Sequence, residues 1–378
     1  MAAFDWNNPY PSVRVPLFAR NVVATSHPLA AQAGLRMLQK GGNAVDAAIA
    51  AAAALTVVEP VSCGLGGDAF AMVWADGQLH GLNASGPAPQ AWTADYFEKK
   101  HHGKMPQRGW DTVTVPGAVA GWIELAERFG KLPFFDLFEP AIELAERGFM
   151  VSQIVQRKWA TAVPVLKTFP GFRRTFMPHG RAPHVGELVT FPDAAHSLTR
   201  IAESRAEAFY RGELAEAIAA CARHQGGALT LDDLASYKPE WVTPISRDFA
   251  GHTLHELPPN GQGIAALIAL GILDRFDIAH YPVDSADSQH LQIEAMKLAF
   301  ADTYHWVADS TSMSKITAED LLDDGYLNER AKLIDMTQAQ DFKHGTPPKG
   351  GTVYLSVADD NGMMVSFIQS NYMGFGSG

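Results

Sequence analysis

One threonine in this sequence sits where a hydroxyl can be turned into a nucleophile. Thr352 follows Gly350 and Gly351 and opens a stretch, Thr352 to Ala358, in which Val353, Leu355 and Val357 fall on one face of a strand. A threonine hydroxyl is a poor nucleophile unless a base stands beside it. One residue supplies both groups if its own α-amine is freed, which requires cleavage of the Gly351–Thr352 bond. The hydroxyl attacks the preceding carbonyl, the acyl group moves from nitrogen to oxygen, and water opens the ester. Glycine before the threonine permits the backbone strain that such an attack needs. Taken alone, the tripeptide is also compatible with a plain β-branched residue starting a strand.

The elements that must hold this residue follow from local pattern. Thr346-Pro-Pro-Lys-Gly-Gly351 is turn chemistry ahead of the strand. Asp359-Asp-Asn-Gly362 reads as a hairpin turn, and Met363 to Ser370 as the return strand. Further upstream, Pro28 to Lys40 reads as a helix with Ser26 as N-cap, stopped by Gly41-Gly42. Asn43 opens an alanine-rich helix that runs to Val58, whose small side chains let neighbours approach its backbone. Asp76-Gly77 predicts a hairpin, and Ser85 to Pro89 a loop. Helices are predicted at Ala118–Phe129, Leu137–Arg147, Ile264–Phe276 and Ser288–Trp306. The stretch from Val151 to Tyr210 shows no readable order.

Composition narrows the function classes. The chain has 378 residues, 47% of them apolar, and a formal net charge of −11. An acidic chain without basic blocks argues against nucleic acid and against an anionic membrane surface as partners. Cys63 and Cys221 are too few for a disulfide framework, which suits a reducing compartment. The start, Met-Ala-Ala-Phe-Asp-Trp-Asn-Asn, lacks the basic and apolar pattern of a secretory leader, so a cytoplasmic location is expected. Ala44 to Val58 is too short for a membrane span.

Other candidate sites read as structural. Cys63 is expected to be a buried thiol and not a nucleophile. His101-His102 lacks a second ligand pair at metal spacing and reads as a solvated loop. Glu319-Asp320 with Asp323-Asp324 lacks a calcium-loop pattern and reads as helix surface. Gly64-x-Gly-Gly lacks the strand-turn-helix order of a dinucleotide site. Asn260-Gly-Gln-Gly263 reads as a turn before a helix. Neither a metal nor a cofactor is expected.

Several blocks in order resemble the γ-glutamyltranspeptidase family over most of the chain. They are Ala44-Val-Asp-Ala-Ala-Ile-Ala50, Val57-Val-Glu-Pro60 and Gly64-Leu-Gly-Gly-Asp-Ala-Phe70, then Val115-Pro-Gly-Ala-Val-Ala-Gly-Trp122. After these come Gly130-Lys-Leu-Pro133, Pro140-Ala-Ile-Glu-Leu-Ala145 with Gly148-Phe149, and Ile293-Glu-Ala-Met-Lys-Leu-Ala-Phe-Ala-Asp302. The last are Thr352 to Asp359 and Phe375-Gly-Ser-Gly378. The resemblance implies an α+β fold, a four-layer αββα sandwich of the N-terminal-nucleophile hydrolase type. It also implies self-cleavage before Thr352, giving a large subunit from 1–351 and the start of a small subunit at 352–378 that associate with each other. The reaction implied is attack on a small-molecule amide, with the acyl-enzyme resolved by water or by an amine acceptor.

Site residues carried over by the resemblance are Thr352 as nucleophile and Ser370, by ungapped count, as the hydroxyl that supports it. The family's substrate-binding asparagine falls at Tyr372, with Asn371 one position earlier. Two departures bear on substrate. The family arginine that pairs with the glutamyl α-carboxylate is replaced, by Ser85 in Asn83-Ala-Ser-Gly-Pro-Ala-Pro89, and its neighbouring acid by Gly86. The chain also stops at Gly378, before the family's oxyanion glycine pair, so the sequence is expected to be a fragment. Oxamate amidohydrolase and cephalosporin-acylase-like branches therefore stand beside γ-glutamyl amides as expectations. A non-catalytic relative is the rival from another class.

Overall fold

The computed structural model describes residues 18–313, 316–342 and 352–378. Its strands are β1 Val22–Thr25, β2 Asp68–Ala75, β3 Gln78–Ala84, β4 Phe149–Met150 and β5 Leu188–Val189, then β6 Glu240–Val242, β7 Ile245–Phe249, β8 His252–Glu256, β9 Thr352–Ala358 and β10 Met364–Ser370. Six of them form one antiparallel sheet in the order β1-β9-β10-β2-β3-β6. The pairs β4-β5 and β7-β8 stand apart.

Alternation along the strands gives this sheet two different faces. Ala69, Ala71 and Val73 of β2, Leu355 and Val357 of β9, and Val365 and Phe367 of β10 are buried against helices. The opposite face carries Phe70, Met72 and Trp74 of β2 with Met364 and Ile368 of β10. Trp74 is 41% exposed and Met364 52%.

The first five helices are α1 Pro28–Gln39, α2 Ala44–Val58, α3 Ala94–His101, α4 Ala118–Phe129 and α5 Glu139–Arg147. Helix α2 is the axis of the core, with every residue but Thr56 buried. Its alanines leave room for α1, α5 and the sheet to close on it from several sides. Asn43 and Asp46 form a reciprocal capping box at its start. Two contacts tie it to the last hairpin. The Ala44 amide donates to Asp359 Oδ2 at 3.0 Å, and Gln369 Nε2 donates to the Ala52 carbonyl at 2.9 Å.

The predicted hairpins form as expected. Asp76 and Gly77 both take positive φ, 49° and 76°, which suits the right-handed strand twist. The N-cap of α1 is His27 and not Ser26: the His27 ring accepts the Leu29 amide, and Ser26 Oγ donates to Glu59 instead. The stretch that lacked readable order holds helices Gln153–Leu166, Pro170–Phe176, Pro192–Ser204 and Glu207–Tyr210. A second core, around Ile268, Ile272, Leu291, Leu298 and Leu327, lies in the helices that follow β8. No helix among the described residues is long and apolar enough to cross a membrane.

Candidate active site

Register builds the site. Thr352, the first residue of β9, lies opposite Ser370, the last residue of β10, and Ser370 lies opposite Asp68, the first residue of β2. Neighbouring strands are about 4.8 Å apart, so the three positions form one row across the end of the sheet. Residues opposite each other in an antiparallel pair share a face, which places Ser370 and Asp68 on the half-open face. Gly351 lies outside the described residues. Ser370 Oγ accepts the Tyr372 amide at 2.9 Å, which turns the chain sharply after β10.

The floor of this row is a set of close backbone approaches. A side chain at Gly67 would collide with the Ser370 carbonyl oxygen, so only glycine lets β2 begin this near to the end of β10. The Gly67 carbonyl accepts the amides of Gly117 and Ala118, both at 3.0 Å, at the start of α4. Gly86, at φ 75°, sits against the Val115 carbonyl in the same way.

Ser85, where the family arginine was expected, belongs to a neutral network. Its hydroxyl accepts from Asn260 Nδ2 at 3.0 Å, and Asn260 Oδ1 accepts from Asn83 Nδ2 at 2.8 Å. Asn83 Oδ1 in turn accepts the Ser85 amide at 3.0 Å. The Asn260 turn thus packs on the loop that replaces the arginine, a link that spacing along the chain could not show.

The charges nearby are acidic. Burial pushes the Asp68 carboxyl up to about 6. Burial also raises the Tyr237 phenol, and the field of Glu240, Asp68 and Glu124 adds to this. Arg108 reaches the loop after β10, donating to the carbonyls of Gly374, at 3.0 Å, and Gly376.

The two expected substrate-binding positions lie differently. With its amide nitrogen turned inward, Asn371 donates to the carbonyls of Ser62, at 3.0 Å, and Met373, at 3.1 Å, and so fastens the loop. Tyr372 is 56% exposed beside Ser370, in a left-handed conformation with φ 63°.

The remaining candidates resolve as follows. Cys63 is buried, and desolvation drives its thiol far up, which suits an inert core thiol. His101 is no solvated loop residue. It ends α3, with Nε2 at 2.7 Å from Asp111 Oδ2, while Lys100 and Tyr96 contact the same carboxylate. The acidic run is helix surface, as expected: all four carboxylates are exposed, Asp320 completes a capping box with Thr317, Asp323 caps the next helix, and Asp324 pairs with Arg247 and Arg275. No cluster of metal ligands occurs among the described residues.

Comparisons with known proteins identify the family. The family model described as Gamma-glutamyltranspeptidase matches residues 30–378. The chain is 36% identical over 361 residues to the glutathione hydrolase-like YwrD proenzyme of Bacillus subtilis, covering 95% of this chain and 68% of that protein. It is 36% identical over 360 residues to the oxamate amidohydrolase proenzyme of Klebsiella pneumoniae, covering 93% and 67%. The crystal structure of cephalosporin acylase from Bacillus halodurans superposes with a TM-score of 0.91 at 50% identity, covering 98% of this chain and 69% of the acylase. The chain spans about two thirds of the length of these relatives. The ordered sequence blocks, the mixed helix-and-sheet fold and the family match lead to one conclusion: this chain belongs to the gamma-glutamyltranspeptidase family, a family of hydrolases and transferases.

Proposed function

We propose that this chain is an autoprocessing N-terminal threonine amidohydrolase, cut between Gly351 and Thr352. The observation that carries the reading is the register that sets Thr352, at the start of β9, opposite Ser370. In the maturation step the Thr352 hydroxyl adds to the Gly351 carbonyl and the C–N bond breaks. The hydroxyl proton passes to the departing amine, leaving an ester that water hydrolyses. The freed α-amine then serves as base for the same hydroxyl, and Ser370 steadies that hydroxyl by hydrogen bonding. Attack on a small amide releases its amine and leaves an acyl-enzyme, which water resolves, or an amine acceptor in a transfer reaction. These steps use no metal and no cofactor.

The large subunit in this reading is 1–351, and 352–378 begins the small subunit. The two remain joined through the sheet, since β9 and β10 lie between β1 and β2. A four-layer αββα sandwich follows if a second sheet covers the open face that carries Phe70, Met72, Trp74 and Met364. The free Cys63 and Cys221 support a reducing, cytoplasmic location.

For substrate, the neutral Asn83–Ser85–Asn260 network favours amides other than γ-glutamyl ones. An arginine at position 85 would pair bidentately with an α-carboxylate, and serine cannot. The named activities of two relatives, oxamate amidohydrolase and cephalosporin acylase, point the same way. Parallel assays with γ-glutamyl-p-nitroanilide, glutaryl-p-nitroanilide and oxamate decide the matter. Ammonia from oxamate, or turnover of the glutaryl amide, at rates at least tenfold above the γ-glutamyl amide supports the reading. The reverse order assigns the chain to γ-glutamyl transfer.

A further inference from the structure

Thr352 starts β9, and β9 lies between β1 and β10. Both flanking strands end on this side of the sheet, β1 at Thr25, opposite Leu355, and β10 at Ser370, opposite Thr352 itself. One carboxylate, that of Glu59, reaches the chain beyond both ends. Its Oε2 accepts the hydroxyl of Ser26, directly after β1, at 2.5 Å. Its Oε1 accepts the Ser62 hydroxyl at 3.0 Å. The Ser62 carbonyl in turn accepts the side-chain amide of Asn371, directly after β10, at 3.0 Å. The links Ser26–Glu59–Ser62–Asn371 therefore span the two strands that flank the nucleophile strand.

A local role accounts for only half of this. Glu59 ends α2, where its amide donates to the Leu55 carbonyl and its own carbonyl accepts the Ser62 amide at 3.0 Å. The Oε1 contact with Ser62 belongs to that turn. The Oε2 contact does not, because it crosses to the segment before α1. Ser26 gives Glu59 the side chain that a serine ahead of a helix ordinarily uses as a cap, and His27 caps α1 instead. Glu59 is 4% exposed and Ser62 is fully buried. Lys158, of helix Gln153–Leu166, supplies the cation, with Nζ 3.5 Å from Glu59 Oε1 and 3.3 Å from Ser62 Oγ. Burying a carboxylate carries a desolvation penalty that a turn alone does not call for. Here its two oxygens serve two separate elements at once.

We propose that Glu59 is a positioning residue for the amidohydrolase reaction: by bridging Ser26 and Ser62 it fixes the ends of β1 and β10 relative to each other, and with them the slot from which Thr352 acts. The inference rests on Thr352 being the nucleophile. Glu59 meets no reacting atom in this role, so it acts on self-cleavage and kcat and leaves KM nearly alone. A bridge in series has a further signature. Cutting it at either end releases it, so losses from the two ends do not multiply.

The test compares full-length wild type and variants, each normalised to folded protein by circular dichroism. It reads the rate of self-cleavage, and kcat and KM with whichever of γ-glutamyl-p-nitroanilide, glutaryl-p-nitroanilide or oxamate the wild type turns over. Glu59→Ala is expected to lose about fivefold or more in cleavage rate and kcat, with KM changed less than about twofold. Glu59→Gln keeps an acceptor for one serine and a donor for the other, and is expected to return to within about twofold of wild type. Ser26→Ala, Ser62→Ala and the double variant are each expected to lose about fivefold. A folded Glu59→Ala with wild-type rates overturns the inference, as does a loss carried by KM or a Glu59→Gln no faster than Glu59→Ala. Serine losses that multiply to about twenty-five-fold in the double variant overturn it too. Should Glu59→Ala not fold, the serine variants decide. A wild type that neither cleaves itself nor turns over any of the three amides removes the functional reading and this inference with it. An active wild type beside an equally active Glu59→Ala removes this inference only.

Discussion

A threonine hydroxyl and a serine hydroxyl on neighbouring strands are unremarkable in composition, and what distinguishes Thr352 and Ser370 is that register makes them partners. If Ser370 contributes one hydrogen bond to the attacking oxygen, its removal is worth about 1–1.5 kcal/mol. Ser370→Ala is therefore expected to lose about tenfold in kcat while folding normally, and a burst-resolved assay measures it. Asp68 gives a second prediction, on stability. Its carboxyl is held above its ordinary range, so the folded state binds the proton more tightly than the unfolded chain does. This contribution is present in acid and is lost as pH rises through about 6. Asp68→Asn should therefore be more stable than wild type at pH 7, by on the order of 2 kcal/mol, with the gap closing towards pH 4. Urea unfolding at both pH values checks this, and an equal gap at both contradicts it. Thr352 drew notice in the sequence through the glycine pair before it, and Ser370 only through the family resemblance and a count from Thr352; the register sets their positions opposite each other. The place of Asp68 beside Ser370 was not legible, because it comes from pairing with a strand far away in the chain.

At the scale of elements, short-range signals carried far. The hairpin at Asp359–Gly362, the Asp76-Gly77 turn and the alanine-rich α2 all lie where capping and turn chemistry place them. The region from 151 to 210 was opaque for a physical reason. One of its helices carries Pro164 near its end, two begin at Pro170 and Pro192, and distant aromatic contacts hold them. Trp159, Phe172 and Phe176 all pack on Phe375, beyond the end of β10. The Asp46 cap shows what an element end is worth. Its carboxylate accepts the amides of Asn43, Lys131 and Leu132, joining the start of α2 to the segment after α4. Asp46→Ala would leave buried amides unmet and should cost about 1–3 kcal/mol in urea unfolding. Gly67→Ala should be at least as damaging, because its new methyl group must displace the Ser370 carbonyl. In that variant cleavage should slow together with the loss of stability.

At the scale of the molecule, the boundary that the chemistry requires is not a boundary in packing. The strands after Thr352 run through the middle of the main sheet and share its core with α2. The separation in packing lies elsewhere, between that core and the cluster around Ile268 and Leu298. Native-state hydrogen exchange should therefore resolve two protected units, one holding α2 and β10, the other Ile264–Leu273 and Ala286–Trp306. Ile268→Ala should lower protection in the second unit by about 2–4 kcal/mol and leave the first nearly unchanged. Uniform loss across both would show that the two cores unfold as one. The open sheet face leaves Trp74 and Met364 half in water, and alternation alone could not reveal it, since the same pattern serves a solvated face.

In the proposed reaction Thr352 becomes a chain terminus and then a nucleophile. The intact mass of the protein expressed from its complete gene, beside Thr352→Ala, tests it most directly. Wild type is expected to give two fragments, the smaller beginning at Thr352, and the variant one uncut chain without amidase activity. A wild type that stays a single chain after long incubation of the folded protein, or a Thr352→Ala variant that is cut at the same bond, would contradict it.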